Sequence, residues 1–163
     1  MRYLLVDRVT KWNAGESING VKNVAMTEDF LEFHFPKSPV MPGVLLLEAM
    51  AQLAGWLRAA SSDFGEWFLL QRVDKCKFYG FALPGDQIEI EVKALDSIDG
   101  IAGASADTSP AAASTASFSA VGFVNGKKKV VAEFSGIVTP LGELEEMEEQ
   151  RRFFNILTRQ LQL

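Results

Sequence analysis

A histidine, a glutamate, a glutamine and a glycine at fixed spacing carry the chemistry this sequence can do. The sole histidine lies in Phe33-His34-Phe35-Pro36, and fourteen residues later Glu48 interrupts an otherwise apolar stretch, Gly43-Val-Leu-Leu-Leu-Glu-Ala-Met-Ala-Gln-Leu-Ala-Gly-Trp-Leu57. A buried, unpaired carboxylate is costly and tends to take up a proton. A glutamate held that way can serve as a general acid, and a neutral histidine beside it as a base. Gln52 lies one helical turn beyond Glu48, within reach to hydrogen-bond and orient it. The alternative is that Glu48 and Gln52 only satisfy backbone groups of a neighbouring loop, and the spacing alone does not choose between the two. Gly43 and its neighbour Val44 open the stretch, where unpaired amide N–H groups and the positive end of the helix dipole can hold a developing oxyanion. Helical side chains lean toward the N-terminus, which brings the Glu48 carboxyl toward the space in front of Gly43.

The elements that must position these residues follow from pattern. Pro36, Pro39 and Pro42 exclude a helix across 28–43, and Pro42 suits the first turn of the helix that follows. That helix, apolar on nearly every face, must be covered on most sides. Leu4–Trp12 and Ser17–Met26 read as strands around Asn13-Ala-Gly15. Trp67–Phe81 and Gln87–Leu95 read as strands flanking Leu83-Pro-Gly-Asp86, the second alternating Ile88, Ile90, Val92 with charged residues. Ser117–Val124 and Val130–Val138 form a hairpin around Asn125-Gly126. Gly100 to Thr115 has the Ala/Ser/Gly composition of a loop. Leu141–Leu163 reads as an amphipathic helix with acidic residues early and Arg151, Arg152 and Arg159 later; Leu144, Met147, Phe154, Leu157 and Leu161 would be its apolar stripe. The fold class is α+β, an antiparallel sheet around one buried helix. The division is a domain over 1–140, with a loop insertion at about 100–116, and a C-terminal helix over 141–163.

Composition excludes several functions. The 163 residues carry a net charge of −5, unsuited to a nucleic-acid backbone as main partner. One histidine and one cysteine cannot build a zinc cage or a two-histidine iron site, so no metal is expected. The apolar run at 44–57 is too short and too polar to span a bilayer, and the early Asp7 breaks a signal-peptide core. With a free Cys76, the cytoplasm is the expected compartment.

The segment His34-Phe-Pro-Lys-Ser-Pro-Val-Met-Pro-Gly-Val-Leu-Leu-Leu-Glu-Ala-Met-Ala-Gln52 resembles the signature of the 3-hydroxyacyl-acyl carrier protein dehydratases of the hotdog fold. The likeness extends to Leu4-Leu-Val-Asp-Arg-Val9, Val73-Asp-Lys-Cys-Lys-Phe78 and Pro84-Gly-Asp-Gln87. The resemblance implies a homodimer whose active sites are shared between two chains. It implies His34 and Glu48, the latter from the partner subunit, as catalytic residues. It also implies the Gly43 amide as holder of the thioester carbonyl, Val44 as its neighbour in the substrate-binding group, and Gln52 as the residue that hydrogen-bonds the acid. The implied reaction removes water from a (3R)-3-hydroxyacyl thioester carried by acyl carrier protein, or by coenzyme A, to give a trans-2-enoyl thioester. No cofactor is implied. The alternatives are a hotdog thioester hydrolase and a non-catalytic acyl- or carrier-binding relative.

Departures from the family pattern are specific. Phe33 and Lys37 stand where the family carries glycine, so the loop holding His34 is expected to take another shape. Tyr79-Gly-Phe81 replaces basic residues and a proline, leaving Arg72, Lys75 and Lys77 to meet an acidic carrier. Gly103-Ala-Ser105-Ala-Asp107 lacks the final glycine and the context of a nucleophile elbow.

Overall fold

The computed structural model describes residues 3–96 and 114–161. The expected loop over Gly100–Thr115, with Ser105, lies almost wholly outside the described residues. Among the described residues, six strands form one antiparallel sheet: β1 (Arg8–Asn13), β2 (Ser17–Asn23), β3 (Glu66–Phe78), β4 (Gln87–Ala94), β5 (Thr115–Val124) and β6 (Lys127–Pro140), in the order β1-β2-β4-β5-β6-β3. The helices are α1 (Phe30–Phe33), α2 (Gly43–Ser61) and α3 (Met147–Leu157), with a short 3₁₀ turn at Leu141–Glu143 before α3.

Alternation decides which face of the sheet is covered. Ile88, Ile90 and Val92 of β4, Phe118 of β5 and Val130, Ala132 and Phe134 of β6 point to one side and are buried. Against them lie Leu46, Ala49, Met50, Leu53 and Leu57 of α2, which are also buried. Close approach needs small residues. A β-carbon on Gly20 would lie 2.8 Å from Leu53, and one on Gly55 would lie 2.5 Å from the Trp67 ring. The sheet thus wraps the helix on the sides its sequence requires. This is the hotdog arrangement.

Several boundaries differ from the sequence reading, each for a local reason. α2 runs on to Ser61, where Asp63 and Phe64 take left-handed φ of 51° and 63° and turn the chain into β3. β3 stops at Phe78, because the chain then crosses to the segment before α2, with Met41 N–H donating to the Ala82 carbonyl at 2.9 Å. One turn of helix, α1, fits ahead of Pro36. The expected helix over Leu141–Leu163 is instead a 3₁₀ turn followed by α3, since Gly142 and the extended Glu146 interrupt it. Of its apolar stripe, Phe154 and Leu157 are buried, whereas Leu144 and Met147 are exposed. The turns behave as read: Asn125 and Gly126 hold φ of 50° and 71°, and Gly85 a φ of 92°.

Candidate active site

His34 caps the single turn of α1, its amide donating to the Phe30 carbonyl at 3.0 Å. Its Nδ1 lies 2.8 Å from the carbonyl of Val40. A carbonyl only accepts, so Nδ1 carries the hydrogen and, in the neutral ring, Nε2 is left with a free lone pair. The proline-rich stretch to Pro42 is what brings Val40 back under the imidazole. Neither Phe33 nor Lys37 takes the left-handed conformation in which glycine is favoured. Phe33 closes α1, and the positive φ, 59°, falls on Phe35, whose ring packs 4.5 Å from that of His34.

Gly43 starts α2 after Pro42. Among the described residues, no backbone carbonyl accepts from the amides of Gly43 or Val44, while Leu45 N–H already folds back to Pro42 at 3.0 Å. Two donors therefore stand free at the positive end of a 19-residue helix. A β-carbon on Gly43 would lie 2.8 Å from the Phe78 ring, so this opening is floored by the end of β3. The Val44 side chain is 69% exposed.

Glu48 sits one turn further along. The sequence reading buries it within the chain; in the structure it is exposed, because α2 turns this face away from the sheet. Gln52 Nε2 donates to Glu48 Oε1 at 2.9 Å, as the orienting role requires. The same side chain also donates to the Tyr3 carbonyl and accepts from Leu5 N–H, each at 2.9 Å. Gln52 thus satisfies a neighbouring backbone and hydrogen-bonds the carboxylate with the same side chain. A cavity of about 610 Å³ opens beside Glu48 and Gln52, walled by Trp56, Trp67 and the start of the C-terminal segment. His34 is not among its lining residues.

Two features escaped the sequence reading. The Val40 carbonyl beneath His34 has no signature beyond the prolines around it. The contribution of Leu141, Leu144 and Gln150 to the cavity is non-local and has none at all. Cys76, within β3, is no nucleophile by its surroundings, since burial pushes its thiol up. No group of residues that could hold a metal occurs among the described residues. Nor is any helix among them long and apolar enough to cross a membrane.

A family model described as FabA-like domain matches residues 1–133. A 3-hydroxyacyl-[acyl-carrier-protein] dehydratase FabZ from Shewanella sp. (strain W3-18-1) is 44% identical over 104 residues, 61% of this chain and 68% of the relative. A protein of the same name from Caldanaerobacter subterraneus subsp. tengcongensis is 44% identical over 97 residues, 59% of this chain and 68% of the relative. In fold, the chain resembles smu.793 from Streptococcus mutans, solved bound to acetyl CoA, with a TM-score of 0.61, 13% identity and coverage of 86% and 94%. It likewise resembles the dehydratase heterocomplex ApeI:P from Xenorhabdus doucetiae, with a TM-score of 0.54, 15% identity and coverage of 78% and 91%. With its wrapped helix, its His34 loop and its Glu48–Gln52 pair, the chain belongs to the FabA-like domain family.

Proposed function

We propose that this protein is a hydro-lyase that removes water from (3R)-3-hydroxyacyl thioesters of acyl carrier protein, yielding trans-2-enoyl thioesters. The observation that carries the reading is the arrangement of α2. Free amides at Gly43 and a carboxylate at Glu48 lie about 7.5 Å apart along one helix, the second oriented by Gln52. His34, with Nε2 as its basic nitrogen, takes the proton from C2 of the substrate. The Gly43 amide steadies the charge that gathers on the carbonyl oxygen. Glu48 gives a proton to the departing 3-hydroxyl, which leaves as water. A proton passing from His34 to Glu48 completes the cycle.

The site forms between two copies of the chain, His34 of one facing Glu48 of the partner subunit. Support comes from the exposure of Glu48 in the single chain and from β3. That strand has 13 residues, lies at the sheet edge and offers its free side for pairing. Of the basic residues expected to meet a carrier, Arg72 pairs with Asp74 at 2.6 Å and Lys75 with Glu133 at 3.4 Å. Lys77 instead lies over the Tyr79 ring, 5.0 Å from its centre, and the Tyr79 amide binds the Lys129 carbonyl. Lys77 and Lys129 are therefore the residues that receive an acidic carrier beside Phe78, and we place the protein in the cytoplasm.

The test is dehydration of a 3-hydroxyoctanoyl thioester, followed by absorbance of the conjugated enoyl product with a thiol reagent in parallel. Turnover by wild type, with losses of about 10²-fold or more in His34→Ala and Glu48→Gln, is expected. Thiol release without enoyl product would instead identify a hydrolase.

A further inference from the structure

Glu48, Ala51, Gln52 and Trp56 share one face of α2, and all four line the cavity of about 610 Å³, a volume within the range of small-molecule sites. The cavity therefore follows the helix from the candidate acid to an indole eight residues on, a run of about 12 Å. Ala51, Trp56, Phe68 and Leu141 form its buried floor, whereas Glu48 stands exposed at one end. Ala51 is the smallest side chain among them and keeps the bore open one turn beyond Glu48. Polar groups belong to the C-terminal wall. Glu145 is exposed beside Leu144 and engaged in an interaction of its own, and Gln150 adds its buried amide there. The apolar path is thus the one between α2 and β3.

Trp56 closes that path and is held in place. Trp67 stands edge-on to it at 5.1 Å, Phe153 lies parallel to it at 6.3 Å, and Phe154 packs on it at 5.9 Å. Trp67 is itself pressed against α2 at Gly55, where a β-carbon would lie 2.5 Å from its ring. The two phenylalanines belong to α3, which Arg151 fastens by donating to Asp63 at 2.7 Å. The chain leading into α3 is tied down by Leu141 N–H, which donates to the Gly65 carbonyl at 3.0 Å. Leu141, Arg151, Phe153 and Phe154 all lie beyond the residues matched by the family model. What holds the indole is a feature of this chain's own C-terminal segment.

We propose that the acyl group lies along the Ala51–Trp56 face of α2, so that α3, by holding Trp56 in place, limits the substrate to chains of medium length. Glu48 protonates the hydroxyl on C3, so the carbons beyond C3 begin at its end of the cavity and run on along an apolar path. Each further methylene buried there strengthens binding until the chain meets the indole, beyond which more carbons have no room. The inference rests on the dehydratase reading for its substrate class. Ala51 touches the acyl group. Phe153 does not line the cavity and is a positioning residue that acts through Trp56.

The experiment compares 3-hydroxybutanoyl, 3-hydroxyoctanoyl and 3-hydroxydodecanoyl pantetheine thioesters on wild type, Ala51→Leu and Phe153→Ala, with turnover read by enoyl absorbance. Binding is read separately, by tryptophan fluorescence, with the butanoyl, octanoyl and dodecanoyl thioesters, which carry no hydroxyl to eliminate. In wild type, kcat/KM and affinity are expected to rise about tenfold or more from butanoyl to octanoyl and to fall about tenfold from octanoyl to dodecanoyl. Ala51→Leu fills the bore and should bring the octanoyl-to-butanoyl ratio to about one. Phe153→Ala frees the indole and should raise the dodecanoyl-to-octanoyl ratio about tenfold. Each ratio is internal to one protein, so lost stability alone moves neither. Melting temperatures report folding, and Ala51→Leu, which only fills a cavity, decides alone should Phe153→Ala not fold. A wild-type profile flat across the three lengths, or wild-type ratios kept in the variants, as when the partner subunit fills the cavity, overturns the proposal. Length-dependent binding that the variants shift, without enoyl product from any thioester, overturns the dehydratase reading and leaves the acyl path standing.

Discussion

Gln52 hydrogen-bonds Glu48 with the same amide nitrogen that holds the Tyr3 carbonyl, 2.9 Å in each case. The N-terminal segment and the candidate acid are therefore fixed by one side chain. Its carboxamide oxygen is occupied as well, by Leu5 N–H. Removing it should cost stability and activity together. Gln52→Leu is expected to lose about 1–3 kcal/mol in denaturant unfolding and to slow turnover, whereas Glu48→Gln should abolish turnover with stability nearly unchanged. A Gln52→Leu protein as stable as wild type would show that these hydrogen bonds contribute nothing net.

The shared site makes a prediction about mixtures. His34→Ala and Glu48→Gln, each inactive alone, should recover activity when unfolded and refolded together. Random pairing gives half mixed dimers with one intact site in two, hence about a quarter of wild-type activity. If His34 and Glu48 act within one chain, mixing restores nothing.

Gly43 separates catalysis from stability. Gly43→Ala places a methyl group 2.8 Å from the Phe78 ring, which is half-exposed and can swing aside. Alanine also gains roughly 0.5–1 kcal/mol over glycine in a helix, offsetting the crowding. The expected outcome is a melting temperature close to wild type with kcat/KM reduced about 10²-fold, because the amides at the helix start no longer meet the carbonyl oxygen squarely. A variant with full activity would remove Gly43 from the site.

Acid should loosen the attachment of α3. Asp63 accepts from Arg151 at 2.7 Å, and this hydrogen bond, with the guanidinium charge, holds the Asp63 carboxyl below its ordinary value of 3.8. The pair stabilises the fold above the unfolded-state value and loses that contribution as pH falls through the folded one. The stability gap between wild type and Asp63→Asn is therefore expected to be constant from about pH 5 to 8 and to close below about pH 4. Asparagine tolerates the left-handed φ at this position, which keeps the comparison to charge alone. A gap that widens on acidification reverses the sign and disproves the linkage.

How much of this was legible in the sequence depends on how local each signal is. α2 and the Asn125-Gly126 and Pro84-Gly85 turns are written in neighbouring residues and appear where the pattern puts them. So was the pairing of Gln52 with Glu48, one turn apart on one helix. The exposure of Glu48 was not, because an apolar run does not say which of its faces the sheet leaves uncovered. The end of β3 was misread because Tyr79-Gly80-Phe81 keeps a strand-like composition, while after the Tyr79 amide binds Lys129 the chain leaves β6 and Ala82 meets Met41 ahead of α2. The interrupted C-terminal helix was misread because acidic residues followed by arginines suit a helix dipole whether or not a glycine breaks the first turns.

Phe154 stands edge-on to Trp12 at 5.9 Å and packs on Trp56 at the same distance, with Phe64 at 5.7 Å. These rings come from β1, α2, the turn into β3 and α3, so three of them are translated long before the fourth. On the ribosome, Trp12, Trp56 and Phe64 have no lid until residue 154 emerges, and until then the nascent chain carries an open aromatic seam. Final closure of this core waits on α3, and in the interval before it the unfinished chain exposes rings that the folded protein covers.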